Sequence, residues 1–135
     1  MMRFTRPEMS AIPFVDDLEA YGARLASSGP AYSMFTPDGE IIGAAGIGIM
    51  WPGVGEGWFM ASDAADRFFF SIHAVLRRVM VRLVEDLRLH RLQIAVPSDS
   101  ERAIAWAHRL GFGWEGRMVK YGPDGSTYER FARVA

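Results

Sequence analysis

The chain has 135 residues, half of them apolar, and a formal net charge of −1. That length suits one domain around a single core, and a charge near zero supplies no field for a nucleic-acid partner. The absence of cysteine excludes disulfides, thiolate metal sites and a cysteine nucleophile, and His73, His90 and His108 do not fall at a metal-ligand spacing.

No signal-peptide pattern opens the sequence. The longest apolar run, near Phe68, is broken by Ser71, His73 and Arg77, so no membrane span is expected, and the chain reads as a cytoplasmic or virion-internal soluble protein. In chain order, residues 3–6 read as a short strand and residues 15–26 as one short helix, with Leu18, Tyr21 and Leu25 at helical spacing and Gly22 working against it. Strands at 32–36 and 41–51 flank Pro37-Asp38-Gly39, where proline presets φ, aspartate bonds the turn backbone and glycine takes φ > 0. Gly43, Gly46 and Gly48 are interspersed with isoleucines and have no Lys, Ser or Thr at phosphate-loop spacing, which favours bulges or close packing. Pro52-Gly53-Val54-Gly55 then breaks the chain before a strand at 56–62.

Residues 69–89 carry the strongest helical period in the chain. Phe69, Ile72, Leu76, Val79, Met80, Leu83 and Leu87 recur at steps of three and four, predicting a helix with one side packed on the sheet. Asp63 and Asp66 before it and Arg88, His90 and Arg91 after it complement the helix dipole, and Arg82 can pair with Asp86. Its arginines read as a solvated face, with a basic partner-binding face as the alternative.

Residues 91–96 alternate apolar and polar, as a sheet strand does. Ser98 and Glu101 then stand at capping-box spacing for a helix that buries Ala103, Ile104, Trp106, Ala107 and Leu110. Gly111 supplies its left-handed stop, with Phe112 folding back against the last turn. Residues 117–121 and 127–134 form a second hairpin around Pro123-Asp124-Gly125.

The stretch 103–116, AIAWAHRLGFGWEG, resembles the C-terminal half of the GNAT superfamily of N-acetyltransferases, nearest to the ribosomal-protein branch with its A-x-K/R-L-G-F-x-x-E-G pattern. The resemblance implies a single domain over 1–135 with a shortened N-terminal region. Its fold would be α/β: a mixed, mainly antiparallel sheet of about six strands, a splayed central pair, and two to three packed helices. It also implies acetyl-CoA as cofactor and an amine acceptor, with an open cleft that a protein partner or a second copy would complete.

In that family the strand matching 56–62 splays away from the strand matching 91–96 and pairs its backbone with the pantetheine arm. The matching positions are Phe59, Met60 and Ala61. A Q/R-x-x-G-x-G/A turn then holds the pyrophosphate on backbone N–H groups at a helix start. Here the corresponding stretch is DRFFFS at 66–71, with Arg67 present and phenylalanines in place of the glycines. Glu56 matches the usual position of the general base and also reads as an ordinary turn carboxylate. Ser100 matches a cofactor or leaving-sulfur contact and also reads as a helix-start residue. The tyrosine that many members place four residues before the glycine is Ala107. These departures carry the alternative reading, a catalytically silent structural or accessory protein of this fold, for example a phage virion component.

Overall fold

The computed structural model describes residues 29–135, except for the side chains of residues 63, 64 and 66. The strand expected at 3–6 and the helix expected at 15–26 lie outside the described residues. The elements are β1 (Ala31–Phe35), β2 (Ile41–Trp51), β3 (Val54–Ala61), a 3-10 turn (Asp63–Phe68), α1 (Phe69–Asp86), β4 (Arg91–Pro97), α2 (Glu101–Arg109), β5 (Gly113–Met118) and β6 (Tyr128–Val134). They build one six-stranded sheet in the order β1-β2-β3-β4-β6-β5. Every neighbouring pair is antiparallel except β3 and β4.

The hairpins form where turn chemistry demands them. Thr36 accepts from Gly39 N–H at 2.9 Å and donates to the Glu40 carbonyl at 2.7 Å, closing β1 on β2. Between β2 and β3 the connection is shorter than expected, because Val54 and Gly55 already belong to β3 and the turn is Pro52-Gly53. Gly53 has φ +89, and an added Cβ would lie 2.3 Å from His90 Cε1, so the position excludes other residues twice over. Gly43 and Gly46 are close-packing positions. An added Cβ on Gly46 would meet the Trp58 ring at 2.6 Å, and one on Gly43 would meet the Met60 carbonyl oxygen at 2.4 Å.

Alternation sorts the side chains to two faces. Phe59, Ile94 and Phe131 point toward the helices: Phe59 meets Trp106 of α2, and Phe131 meets His108. Glu56, Gln93 and Arg130 share the opposite face. The innermost side chains are Ile94, Val96 and Phe131, and burying each stabilises by about 1.5–3 kcal/mol.

The two helices differ in how closely they pack. α2 presents Ala103, Trp106 and Ala107, all buried, and the alanines bring its axis close to the sheet. It ends as expected: Gly111 has φ +89, its N–H bonds the His108 carbonyl, and the Phe112 N–H bonds that of Ala107, both at 3.0 Å. Its start departs from expectation. The N-cap is Ser100, which accepts from Ala103 N–H at 3.2 Å, while the Ser98 hydroxyl donates to Glu129 instead of closing a capping box with Glu101.

α1 stops three residues before the expected 89. Arg88 adopts φ +53, the Leu89 N–H bonds the Val84 carbonyl at 2.9 Å, and Leu89 is turned into the core. Of its residues only Ile72 is buried, and Leu76, Val79, Met80, Leu83 and Leu87 are half-buried. Beneath them lies a cavity of about 210 Å³ between α1 and the sheet. The second hairpin also shifts: β5 begins at Gly113 rather than 117 and pairs with β6 through a bulge at Glu115.

Candidate functional site

The site starts from the parallel pair, the only one among the described residues. β3 and β4 are in register over Val54↔Arg91, Gly55↔Leu92 and Glu56↔Gln93, and there the pairing ends. Among the described residues, the edge of β3 that faces β4 has no partner strand from Gly57 to Ala61, while its other edge stays paired with β2 as far as Ala61. β4 likewise continues to Pro97 on β6 alone. A V-shaped gap opens in mid-sheet, and backbone N–H and C=O groups on its edges are left for another extended chain to satisfy. Phe59, Met60 and Ala61 are buried along this stretch.

Aromatic rings close the helix side of the gap. Trp106 packs edge-to-face on Phe59 with centroids 5.0 Å apart and lies 5.8 Å from Phe69, and its Nε1 donates to His73 Nδ1 at 3.0 Å. Phe69 stacks on His73, and the Arg102 guanidinium sits 5.6 Å above the Phe69 ring. The bulk expected from the three consecutive phenylalanines is thus only partly applied here, since Phe70 is 86% exposed and Phe68 lies beneath Arg67.

α1 starts directly from the 3-10 turn, with Phe68 as its N-cap and no side-chain cap bond. No side chain caps the first turn of this 18-residue helix, and the helix dipole favours an anion at that end. Arg67 stands beside them, and its guanidinium is 3.1 Å from the Glu40 carboxylate in an exposed pair. The side chains of residues 63 and 66, which the sequence reads as complementing the helix dipole, are outside the described set.

On the open face, both oxygens of Glu56 are engaged. Gln93 Nε2 donates at 2.7 Å and Arg130 Nη1 at 2.9 Å. The chain of contacts runs on: Gln93 Oε1 accepts from Arg91 Nε at 2.9 Å, and Arg91 grips Glu115 with two bonds of 2.5 and 3.0 Å. That grip holds the Glu115 carboxyl below its ordinary value. Glu56 sits at the apex of the V, opposite Gln93. Ser100 lies three residues beyond Pro97, the end of β4, which is itself about 13 Å along the strand from Gln93. The fold does not bring these two residues together.

Sequence reasoning missed Arg130, Gln93, His73 and Glu129, all of which act across strands or helices far apart in the chain. Glu129 is 5% exposed and collects the Ser98 hydroxyl, Trp114 Nε1 at 2.9 Å and Arg117 Nε at 3.2 Å. Trp58 Nε1, also buried, has no hydrogen-bond partner among the described residues. Among the same residues, no group of three His, Asp or Glu could hold a metal ion, and no helix is long and apolar enough to cross a membrane.

A six-stranded, mainly antiparallel sheet whose single parallel pair parts, with α1 and α2 crossing on one face, has the GNAT acetyltransferase fold. A point variant of spermidine N-acetyltransferase SpeG from Vibrio cholerae matches it with a TM-score of 0.72 at 12% identity, covering 89% of this chain and 76% of that one. A GNAT-family acetyltransferase from Bacillus anthracis gives 0.70 at 10% identity, over 92% and 81% of the two chains. A ribosomal-protein-alanine N-acetyltransferase from Brucella melitensis gives 0.68 at 17% identity, over 91% and 82%. At such identities the likeness is one of fold. No protein-family model and no curated protein matches the sequence.

Proposed function

We propose that the protein, as a single domain over 1–135, is an acyl-CoA-dependent N-acyltransferase that acylates an amine of a protein or small molecule, acetyl-CoA being the simplest donor. The observation that carries this reading is the parting of β3 from β4 after Glu56 and Gln93, which among the described residues leaves a strand edge unpaired at Phe59, Met60 and Ala61. Those backbone groups would hold the pantetheine arm as an added strand. Arg67 and the first N–H groups of α1 would hold the pyrophosphate, after Arg67 leaves Glu40. Acyl-CoA supplies an acyl group already activated as a thioester.

Glu56 takes the proton of the attacking amine through a lone pair not engaged by Gln93 or Arg130. The amine nitrogen bonds to the acyl carbon, the carbon–sulfur bond breaks, and the thiolate takes a proton from solvent to leave as the thiol, while Glu56 gives the amine proton up to solvent. The acceptor approaches on the open face of the sheet, where a protein partner or a second copy completes the cleft.

A second reading, a silent accessory protein of this fold such as a phage virion component, is favoured by one observation. Trp106, Phe59 and Phe69 pack together beside the gap, with Trp106 bonded to His73. Incubation with acetyl-CoA and a panel of polyamines, lysine peptides and free N-termini, with thiol release as readout, separates the two. Amine-dependent thiol release that disappears in Glu56→Gln supports the enzyme. Absence of both thiol release and acyl-CoA binding leaves the accessory reading.

A further inference from the structure

We infer that Glu115 is a positioning residue for acyl transfer, acting through Arg91 and Gln93 on the carboxylate of Glu56. This rests on the acyltransferase reading above, with Glu56 as base. The contacts have a fixed sense. Arginine can only donate, so the Gln93 atom facing Arg91 Nε at 2.9 Å is the amide oxygen, and the amide nitrogen is turned to Glu56 at 2.7 Å. With the amide turned round, two N–H donors would face each other and an oxygen would face the carboxylate. Arg91 therefore decides which end of Gln93 meets Glu56. The paired bonds from its guanidinium to the Glu115 carboxylate decide where Arg91 stands.

The bulge in β5 aims Glu115 at this contact. Trp114 pairs with Phe131 and Gly116 with Arg130, so Glu115 is the extra residue between them, outside the ladder register. Trp114 turns to the helix side, where its Nε1 meets Glu129, and Glu115 turns to the open face. On β6 the residue opposite both Gln93 and Gly113 is Ala132, small enough for the Arg91 side chain to reach from β4 to β5. The glutamate of Trp114-Glu115-Gly116, which takes no part in the chemistry itself, is thereby linked to Glu56 through two side chains. Gln93 holds one Glu56 oxygen and Arg130 the other, so the carboxylate meets an amine in one orientation.

The test is steady-state kinetics of the full chain with acetyl-CoA and whichever of a polyamine, a lysine peptide and a peptide with a free N-terminus supports thiol release. Glu115→Gln and Arg91→Lys should each lower kcat about 10- to 100-fold, the effect of misplacing a reacting group by about 1 Å. Acetyl-CoA affinity by calorimetry should stay the same, and melting temperature should change by no more than a few degrees. Arg91→Lys keeps the ion pair with Glu115, and with it any merely structural tie, but loses the second donor that orients Gln93. Gln93→Leu should match either variant, and adding Glu115→Gln to it should lower kcat no further, since both act through one amide. Turnover within a few-fold of the original in Arg91→Lys, additive losses in the double variant, or a loss of kcat that follows melting temperature overturns the positioning role and leaves the acyltransferase reading standing. No thiol release from the unaltered chain with any of the three amines overturns both.

Discussion

The indole Nε1 of Trp106 in α2 donates to Nδ1 of His73 in α1 at 3.0 Å, joining the two helices beside the parting of β3 and β4. The ring is 3% exposed and rests on Phe59 and Phe69. Trp106→Phe keeps most of the packing and loses the bond, for a cost of about 1 kcal/mol. Trp106→Ala costs about 3–5 kcal/mol in denaturant unfolding, and it opens the space beside Phe59. Acetyl-CoA affinity at least tenfold higher in the alanine variant is the expected outcome. Unchanged affinity assigns the ring to the core alone.

Acetyl-CoA binding to the unaltered chain should be weak, with a dissociation constant of roughly 0.1 mM or higher, equivalent to about 5.5 kcal/mol or less. Phenylalanines stand where glycine N–H groups would approach a phosphate, and Arg67 is already paired with Glu40. At about 1 mM ligand such a site adds no more than about 1.4 kcal/mol to folding stability. Glu40→Ala frees Arg67 and should tighten binding several-fold. A low-micromolar constant in the unaltered chain, abolished by Arg67→Ala, would sink this expectation.

Glu56→Gln should lower turnover on an accepted amine by roughly 10²–10⁴-fold, the usual contribution of a general base. Its pair with Arg130 is partly exposed, so stability falls by only about 1 kcal/mol. Turnover within a few-fold of the original removes Glu56 from the mechanism and leaves it as a cross-strand tie.

Gly111→Val tests the end of α2. An added Cβ would meet only the Arg133 guanidinium, at an ordinary 3.7 Å, so the cost comes from a β-branched residue at φ +89. Destabilisation of about 1–2 kcal/mol is expected, a drop of roughly 3–10 °C in melting temperature. An unchanged melting temperature contradicts the left-handed helix stop.

Stability should fall with acid in a way traceable to Glu129. The Ser98 hydroxyl lowers its pKa most; burial opposes this, and Trp114 and Arg117 lower it further, so it lies below the ordinary glutamate value. The folded value is therefore the lower one. Its contribution is complete above the unfolded value and disappears as pH falls through the folded value. Denaturant midpoints measured from about pH 6 to about pH 2 should drop less steeply in Glu129→Gln than in the original chain. Parallel curves for the two proteins rule the contribution out.

Read from the sequence alone, the local elements were largely legible. Pro37-Asp38-Gly39 and Gly111 act through the φ/ψ demands of single residues, and the stripe of α1 is a period in the chain, so neither depends on distant partners. Periodicity names the face that α1 turns to the sheet. It carries no information on how far the helix stands from it, and the cavity of about 210 Å³ comes from that distance. Ser98 and Ser100 were both plausible caps, and the choice was made by Glu129, 31 residues beyond Ser98, which recruits its hydroxyl.

The candidate site divides in the same way. Glu56, Arg67 and the stretch 59–61 could be marked by resemblance, because they sit at fixed offsets from strand and helix ends. The ties of Glu56 to Gln93 and Arg130, of Arg67 to Glu40 and of Trp106 to His73 span 27 to 74 residues. Such contacts exist only once β3 lies beside β4 and α2 crosses beside α1. Within residues 29–135 the sequence by itself determined the order of strands and helices, though not every boundary. The tertiary structure decided where the parallel pair parts, what closes the helix side of the gap and how much space remains beneath α1, since each depends on side chains that meet only after the sheet has assembled.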